Sequence, residues 1–76
     1  MQKILLKNKT HQLNLEKVKN NWWLELQELK TGKVQILESK SKLKIEAFVK
    51  GMSIDSLIYY FDKLKIEKVP MYKSQY

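Results

Sequence analysis

The chain has 76 residues, of which fifteen are basic and eight acidic, for a net charge of +7. This length predicts one small domain with a thin core, because a chain of this size buries only about 60% of the surface that it exposes when unfolded. The absence of cysteine excludes disulfides, thiolate metal sites and thiol nucleophiles. No apolar run resembles a signal peptide or approaches the roughly 20 residues of a membrane span, so we expect a cytoplasmic protein without membrane contacts.

All of the positive charge comes from lysine, since the sequence contains no arginine. A strongly basic balance attracts polyanions such as nucleic acids. Arginine reads guanine and grips phosphates with paired hydrogen bonds, whereas lysine offers a mobile point charge. The composition therefore predicts binding with little sequence preference. An AT-rich coding sequence is an equally good explanation of the lysines.

The first part of the chain has the pattern of β-strands. Residues 2–7 contain a short apolar run, and residues 12–18 alternate apolar and polar side chains. Residues 8–10 and the pair Asn20-Asn21 are rich in turn-forming side chains, and the asparagines tolerate left-handed backbone. We expect two strands, each followed by a turn.

The strongest signal lies between Asn21 and Leu37. Trp22, Leu24 and Leu26 alternate with bulky or polar residues, and Gly32 can take the positive φ that a short hairpin loop needs. The pattern predicts a β-hairpin. A helix ending at Gly32 is the alternative, because Trp22 and Leu26 are also one helical turn apart. The strict alternation favours the hairpin.

Turns are thus expected near residues 8–10, 19–21 and 30–32, about eleven residues apart, a spacing typical of an antiparallel meander. Residues 43–50 fit a strand or a short helix, and a capping serine before them and a glycine after them favour the helix. Ser53–Leu64 is the clearest helix, with a continuous apolar stripe at helical spacing.

The predicted fold class is α+β, an antiparallel meander of about four strands. The Ser53–Leu64 helix covers one face of the sheet, and a second short helix precedes it. Residues 66–69 are expected to add an edge strand that Pro70 ends. Residues 1–69 form the single domain, and residues 70–76 are predicted to be a flexible tail.

The lysines concentrate in the N-terminal strands, in residues 40–50 and in the C-terminal tail. If these segments converge, they form a patch for phosphates. The candidate nucleic-acid contacts are Lys3, Lys7, Lys9, Lys40, Lys42 and Lys44.

Two aromatic residues are candidate contact residues. Trp23 shares the polar face of its strand, where it would serve as a platform for a base or as a protein contact, unless it packs under a terminal segment. Tyr59 projects away from the apolar stripe of its helix, between Asp55 and Asp62. Carboxylates beside a tyrosine suit a protein contact better than a phosphate contact. Trp22 is assigned to the core.

No pattern in the sequence indicates catalysis. His11 is the only histidine and lies in or beside a turn, and a lone histidine without cysteines cannot build a multi-histidine metal site. The two glycines form no phosphate-binding loop. We therefore expect no catalytic residue, metal or cofactor.

The sequence favours a small, basic, non-enzymatic module that associates with nucleic acid or a nucleoprotein complex. The alternative is an adaptor or inhibitor that docks on a protein through Trp23, Tyr59, Asp55 and Asp62. In size and in its lysine-rich, arginine-free composition, the chain resembles small accessory proteins of phages and mobile elements, which implies a role of this second kind. A thin core also allows a homodimer through an open sheet edge.

Overall fold

The computed structural model describes residues 2–70. It has an α+β fold built from four antiparallel strands, two helices and a short fifth strand, so the predicted fold class is confirmed. Of the predicted tail, residues 70–76, Pro70 belongs to the short fifth strand, and residues 71–76 lie outside the described residues. The elements are β1 (Gln2–Lys7), β2 (His11–Val18), β3 (Asn21–Glu28), β4 (Val34–Ser39), α1 (Lys42–Val49), α2 (Ile54–Lys63) and β5 (Lys68–Pro70).

The strands lie in the sheet in the same order as in the chain, and β1 to β4 pair antiparallel as the spacing of the turns predicts. The short β5 pairs in parallel with β4 at the edge of the sheet. Gly32 has a φ of 78°, as expected for the hairpin loop between β3 and β4. The expected turn near residues 19–21 is present, but it consists of Lys19 and Asn20 and not of Asn20-Asn21. Lys19 takes the positive φ of 58°, and Asn21 already belongs to β3, where its side-chain amide donates to Glu38.

The core is built from leucines that share one face of β2, β3 and β4. Direct pairing of Leu15 with Leu24, and of Leu24 with Leu37, places these side chains on the same side of the sheet. Full burial of such a side chain contributes about 1.5–3 kcal/mol. The buried cluster consists of Leu13, Leu15, Leu24, Leu26 and Leu37 with Ile45 of α1, Leu57 and Phe61 of α2, and Ile66.

The first strand is interrupted by a β-bulge. The pairing of β1 with β2 shifts register between Ile4 and Leu6, so one extra residue is inserted in β1. The residues after the bulge therefore project from the opposite face of the sheet to the one that they would occupy in an uninterrupted strand.

Both helices are preceded by a capping serine, as predicted. The hydroxyl of Ser41 accepts a hydrogen bond from the backbone N–H of Lys44, and that of Ser53 accepts one from the N–H of Ser56. The predicted apolar stripe of α2 is wrong at its last position, because Leu64 is 40% exposed. The chain reverses at Lys65 with a φ of 51°, and the next residue enters the core instead. Within residues 2–70, neither helix has the length and apolarity needed to cross a membrane.

Candidate functional site

The strand register divides the predicted site residues between two ends of the sheet. At one end Lys17 pairs with Trp22, and Trp22 pairs with Ser39. At the other end His11 pairs with Glu28. The eight-residue strand β2 connects these two ends over roughly 24 Å at about 3.4 Å per residue. We call the first the basic end and define it by Lys3, Lys17, Lys19, Trp22, Lys40 and Lys42.

The basic end is centred on the indole ring of Trp22. The ammonium nitrogen of Lys42 lies 5.2 Å from the ring centroid and that of Lys17 lies 5.8 Å from it. Both lysines are exposed, and Trp22 is half-buried against the core. A lysine over an indole gains about 0.5–1 kcal/mol at an exposed site. The ring therefore holds two cationic groups close together at the surface.

Further lysines surround this pair. Lys3 pairs with Leu15, so it projects from the same face of the sheet as Lys17. Lys19 and Lys40, both exposed, lie in the adjacent turn and just after β4, respectively. Glu16 and Glu38 lie on the opposite face, because both pair directly with Trp23.

The first turn of α1 adds positive charge at the same place. It contains Lys42 and Lys44 and no acidic residue. The N-terminus of a helix carries a partial positive charge, so each lysine there is unfavourable by about 0.3–1 kcal/mol. An anion bound at this position would be stabilised by the lysines and by the helix together.

Two of the predicted lysines lie elsewhere. Lys7 pairs with Gln12, whereas Lys3 pairs with Leu15, so the bulge in β1 places these two lysines on opposite faces. Lys9 lies in the turn between β1 and β2, at the far end of the sheet. The structure thus places Lys3, Lys40 and Lys42 at the basic end of the sheet and Lys7 and Lys9 towards its other end.

Trp23 lies on the face opposite the core leucines and is half-buried. Its indole N–H donates a 2.8 Å hydrogen bond to a carboxylate oxygen of Glu38. The ammonium nitrogen of Lys68 lies 4.4 Å from the centroid of its ring. The Trp23 ring, which the sequence suggests as a platform for a base, therefore already has the Lys68 ammonium over it, and its N–H is already hydrogen-bonded to Glu38.

The same face holds a carboxylate with an unusual environment. Glu25 is only 8% exposed, and it accepts a 3.0 Å hydrogen bond from the side-chain amide of Gln2. Burial, together with the nearby carboxyl of Glu16, raises the pKa of Glu25 above its usual range. Its neighbour Asn14 is 1% exposed and accepts a hydrogen bond from Gln12.

The residues predicted for protein docking separate in a similar way. Asp55, Tyr59 and Asp62 line one open groove of about 440 Å³, whereas Trp23 is not among its lining residues. Tyr59 is 65% exposed, and the ammonium nitrogen of Lys63 lies 5.8 Å from its ring centroid. The other lining residues are His11, Glu28, Lys33, Gln35 and Ile58.

This groove, which we call the tyrosine groove, lies at the end of the sheet away from Trp22. The side-chain amide of Asn8 donates a 3.4 Å hydrogen bond to Asp55, which places the turn between β1 and β2 beside the start of α2. The ring Nδ1 of His11 lies 2.8 Å from the hydroxyl of Thr10. Within the described part of the chain, no cluster of histidine and acidic residues has a geometry that could hold a metal ion.

Sequence reasoning missed Lys17 and the role of Trp22, and it missed His11 and Glu28 as groove residues. The missing information is the register between β2 and β3, which pairs Lys17 with Trp22 and His11 with Glu28. A two-residue turn at Lys19-Asn20 would have predicted this pairing from the sequence. The approach of Lys42 depends in addition on the position of α1.

No known protein family, no characterised protein and no solved structure matches this chain.

Proposed function

We propose that the protein is a small, non-enzymatic module that binds nucleic acid through its basic end, with little sequence preference. The observation that carries this proposal is the placement of the Lys17 and Lys42 ammonium groups beside the Trp22 ring, at 5.8 and 5.2 Å, on the face of the sheet opposite Glu16 and Glu38. The lack of cysteine suits action in the reducing cytoplasm.

Lysine-rich surfaces bind nucleic acids mainly by releasing the counterions of the phosphates. Each phosphate neutralised on duplex DNA contributes about −0.9 to the slope of log K against log salt. Without arginine, the basic end has no side chain suited to paired hydrogen bonds with a base edge. The affinity should therefore depend strongly on salt and weakly on sequence.

The charge at the start of α1 supports the proposal. Lys42 and Lys44 occupy positions where a cation is unfavourable for the helix itself. A bound phosphate removes this disadvantage, because it lies opposite both the lysines and the helix N-terminus. Functional sites are common places for residues that reduce stability.

The test compares two double variants that remove the same charge at opposite ends of the sheet. Lys17→Gln with Lys42→Gln should weaken binding of a labelled 20-bp duplex and reduce the salt slope by about 1.8, from two lost phosphate contacts. Lys7→Gln with Lys9→Gln is the matched control. It should leave the slope unchanged, since charges more than about 10 Å from the contact are screened at 0.1 M salt. Equal losses in both variants would show that only net charge matters and would reject this site.

A second function is favoured by the tyrosine groove, where Asp55, Tyr59 and Asp62 lie together. We propose, as the alternative, an adaptor or inhibitor that docks on a protein partner or on the protein part of a nucleoprotein. An exposed tyrosine between carboxylates suits a partner surface that carries lysine or arginine. Tyr59→Ala should leave the binding of duplex DNA unchanged and should abolish recovery of a specific protein from cells. Equal recovery by this variant and the wild type would reject the groove.

A further inference from the structure

We infer that the basic end takes its nucleic acid as a duplex held through backbone phosphates, and not as a single strand stacked on tryptophan. The inference rests on the proposed function and specifies its substrate. Proteins that bind single strands without sequence preference offer aromatic rings on which successive bases stack. The question is therefore whether an open ring exists beside the lysines.

Both indole rings are already engaged. Trp22 packs against the core and has the ammonium groups of Lys17 and Lys42 within 6 Å of its centroid. Trp23 has Lys68 at 4.4 Å from its ring centroid, and its N–H is bonded to Glu38. A base could stack on either ring only after displacing a lysine. At Trp22 the displaced side chain would be one of the proposed phosphate contacts, Lys17 or Lys42. At Trp23 it would be Lys68, on the opposite face of the sheet.

The other described aromatic rings do not offer a platform at this end. Phe48 packs edge-on against Tyr60 with centroids 5.1 Å apart, and Tyr60 packs against Phe61 at 6.2 Å. Tyr59 is exposed, but it lies in the tyrosine groove beside Asp55 and Asp62, at the end of the sheet away from Trp22. The basic end therefore presents lysine ammonium groups around a tryptophan ring that they already contact.

The lysines are also spread in two dimensions, as a duplex requires. Lys3 is on β1, Lys17 is on β2, and the ammonium group of Lys42 lies beside Trp22 of β3, so they extend over two strand spacings, or about 10 Å. The Lys17 and Lys42 nitrogens lie at most about 11 Å apart, the limit set by their distances to the Trp22 ring. A duplex presents two phosphate strands across grooves about 6 and 12 Å wide, whereas a single strand presents one line of charge.

The experiment measures fluorescence anisotropy of three labelled probes with the full chain at 50 and 200 mM salt. The probes are a 20-bp duplex, a second duplex of scrambled sequence and an unstructured 20-nucleotide thymidine strand. We expect both duplexes to bind equally and at least tenfold more tightly than the single strand. Saturating duplex should leave most of the tryptophan emission unquenched, because no base stacks on an indole.

The outcomes separate the inference from the function on which it rests. Equal or tighter binding of the thymidine strand, with quenched tryptophan emission, would overturn the duplex inference and leave nucleic-acid binding standing. No binding of any probe at 50 mM salt would overturn the proposed function itself. Duplex binding that survives Lys17→Gln with Lys42→Gln would show that the duplex lies elsewhere and would overturn the inference.

Discussion

Lys44 is the third residue of α1, and its backbone N–H is bonded to the capping hydroxyl of Ser41. Its side chain is exposed beside the positive end of the helix. Replacing it by glutamate should therefore stabilise the fold while weakening nucleic-acid binding. Opposite effects on stability and binding are expected only if the lysine serves a ligand at the expense of the helix.

The size of the stability effect follows from the helix dipole. A charge in the first turn contributes about 0.3–1 kcal/mol, unfavourable for lysine and favourable for glutamate, so Lys44→Glu should add roughly 0.6–2 kcal/mol at low salt. A glutamate at this position can also reach back to the N–H of Ser41 as in a capping box, although that N–H already donates to Ser39. In a domain of this size, each 1 kcal/mol raises Tm by about 4–8 °C.

The matched control is Lys50→Glu, at the residue that ends α1. It lowers the net charge by the same amount but removes a cation from the negative end of the helix, so it should destabilise the fold by a similar amount. Thermal unfolding followed by circular dichroism in 20 mM buffer gives both values. If both variants raise Tm equally, relief of overall charge repulsion explains the result and the argument from the helix dipole is refuted.

Three further predictions concern stability. Because the pKa of Glu25 is raised in the folded state, its contribution to stability is greatest at acid pH and is lost as pH rises through that pKa. Glu25→Gln should thus exceed the wild type in urea midpoint at pH 7, and a lower midpoint would contradict this sign. Phe61→Ala, at a fully buried site, should cost about 3–5 kcal/mol in urea unfolding, and a cost below 1 kcal/mol would contradict its place in the core. Ser53→Ala should lower the free energy of unfolding by about 1 kcal/mol, because α2 loses its capping hydroxyl. An unchanged urea midpoint would show that this cap does not stabilise the fold.

The fold class could be predicted because its signals are local. Turn residues at regular spacing gave the order of the four strands, and a serine cap with a glycine beyond gave α1. The error at Asn20-Asn21 has a physical cause. Because Val18 pairs with Asn21, the turn consists of the two residues between them, Lys19 and Asn20. The left-handed residue is therefore Lys19, and Asn21 lies in the strand.

The candidate sites depend on non-local information. Whether Lys3 and Lys7 project together is decided by a single inserted residue in β1, which no turn signal announces. The neighbourhood of Trp22 depends on where α1 lies against the sheet, because Lys42 is twenty residues further along the chain. The parallel pairing of β5 is also a consequence of the helix path, since both helices separate β5 from β4.

The bulge in β1 also affects how copies of the protein would interact when several of them bind one polyanion. A polyanion that binds many copies raises their local concentration, and exposed strand edges would then join neighbouring sheets. The irregular β1 edge, with lysines on both of its faces, presents a poor template for a second strand. If the protein binds nucleic acid as proposed, copies that bind along the same polymer should therefore remain separate, exchangeable molecules and not merge into a fibril.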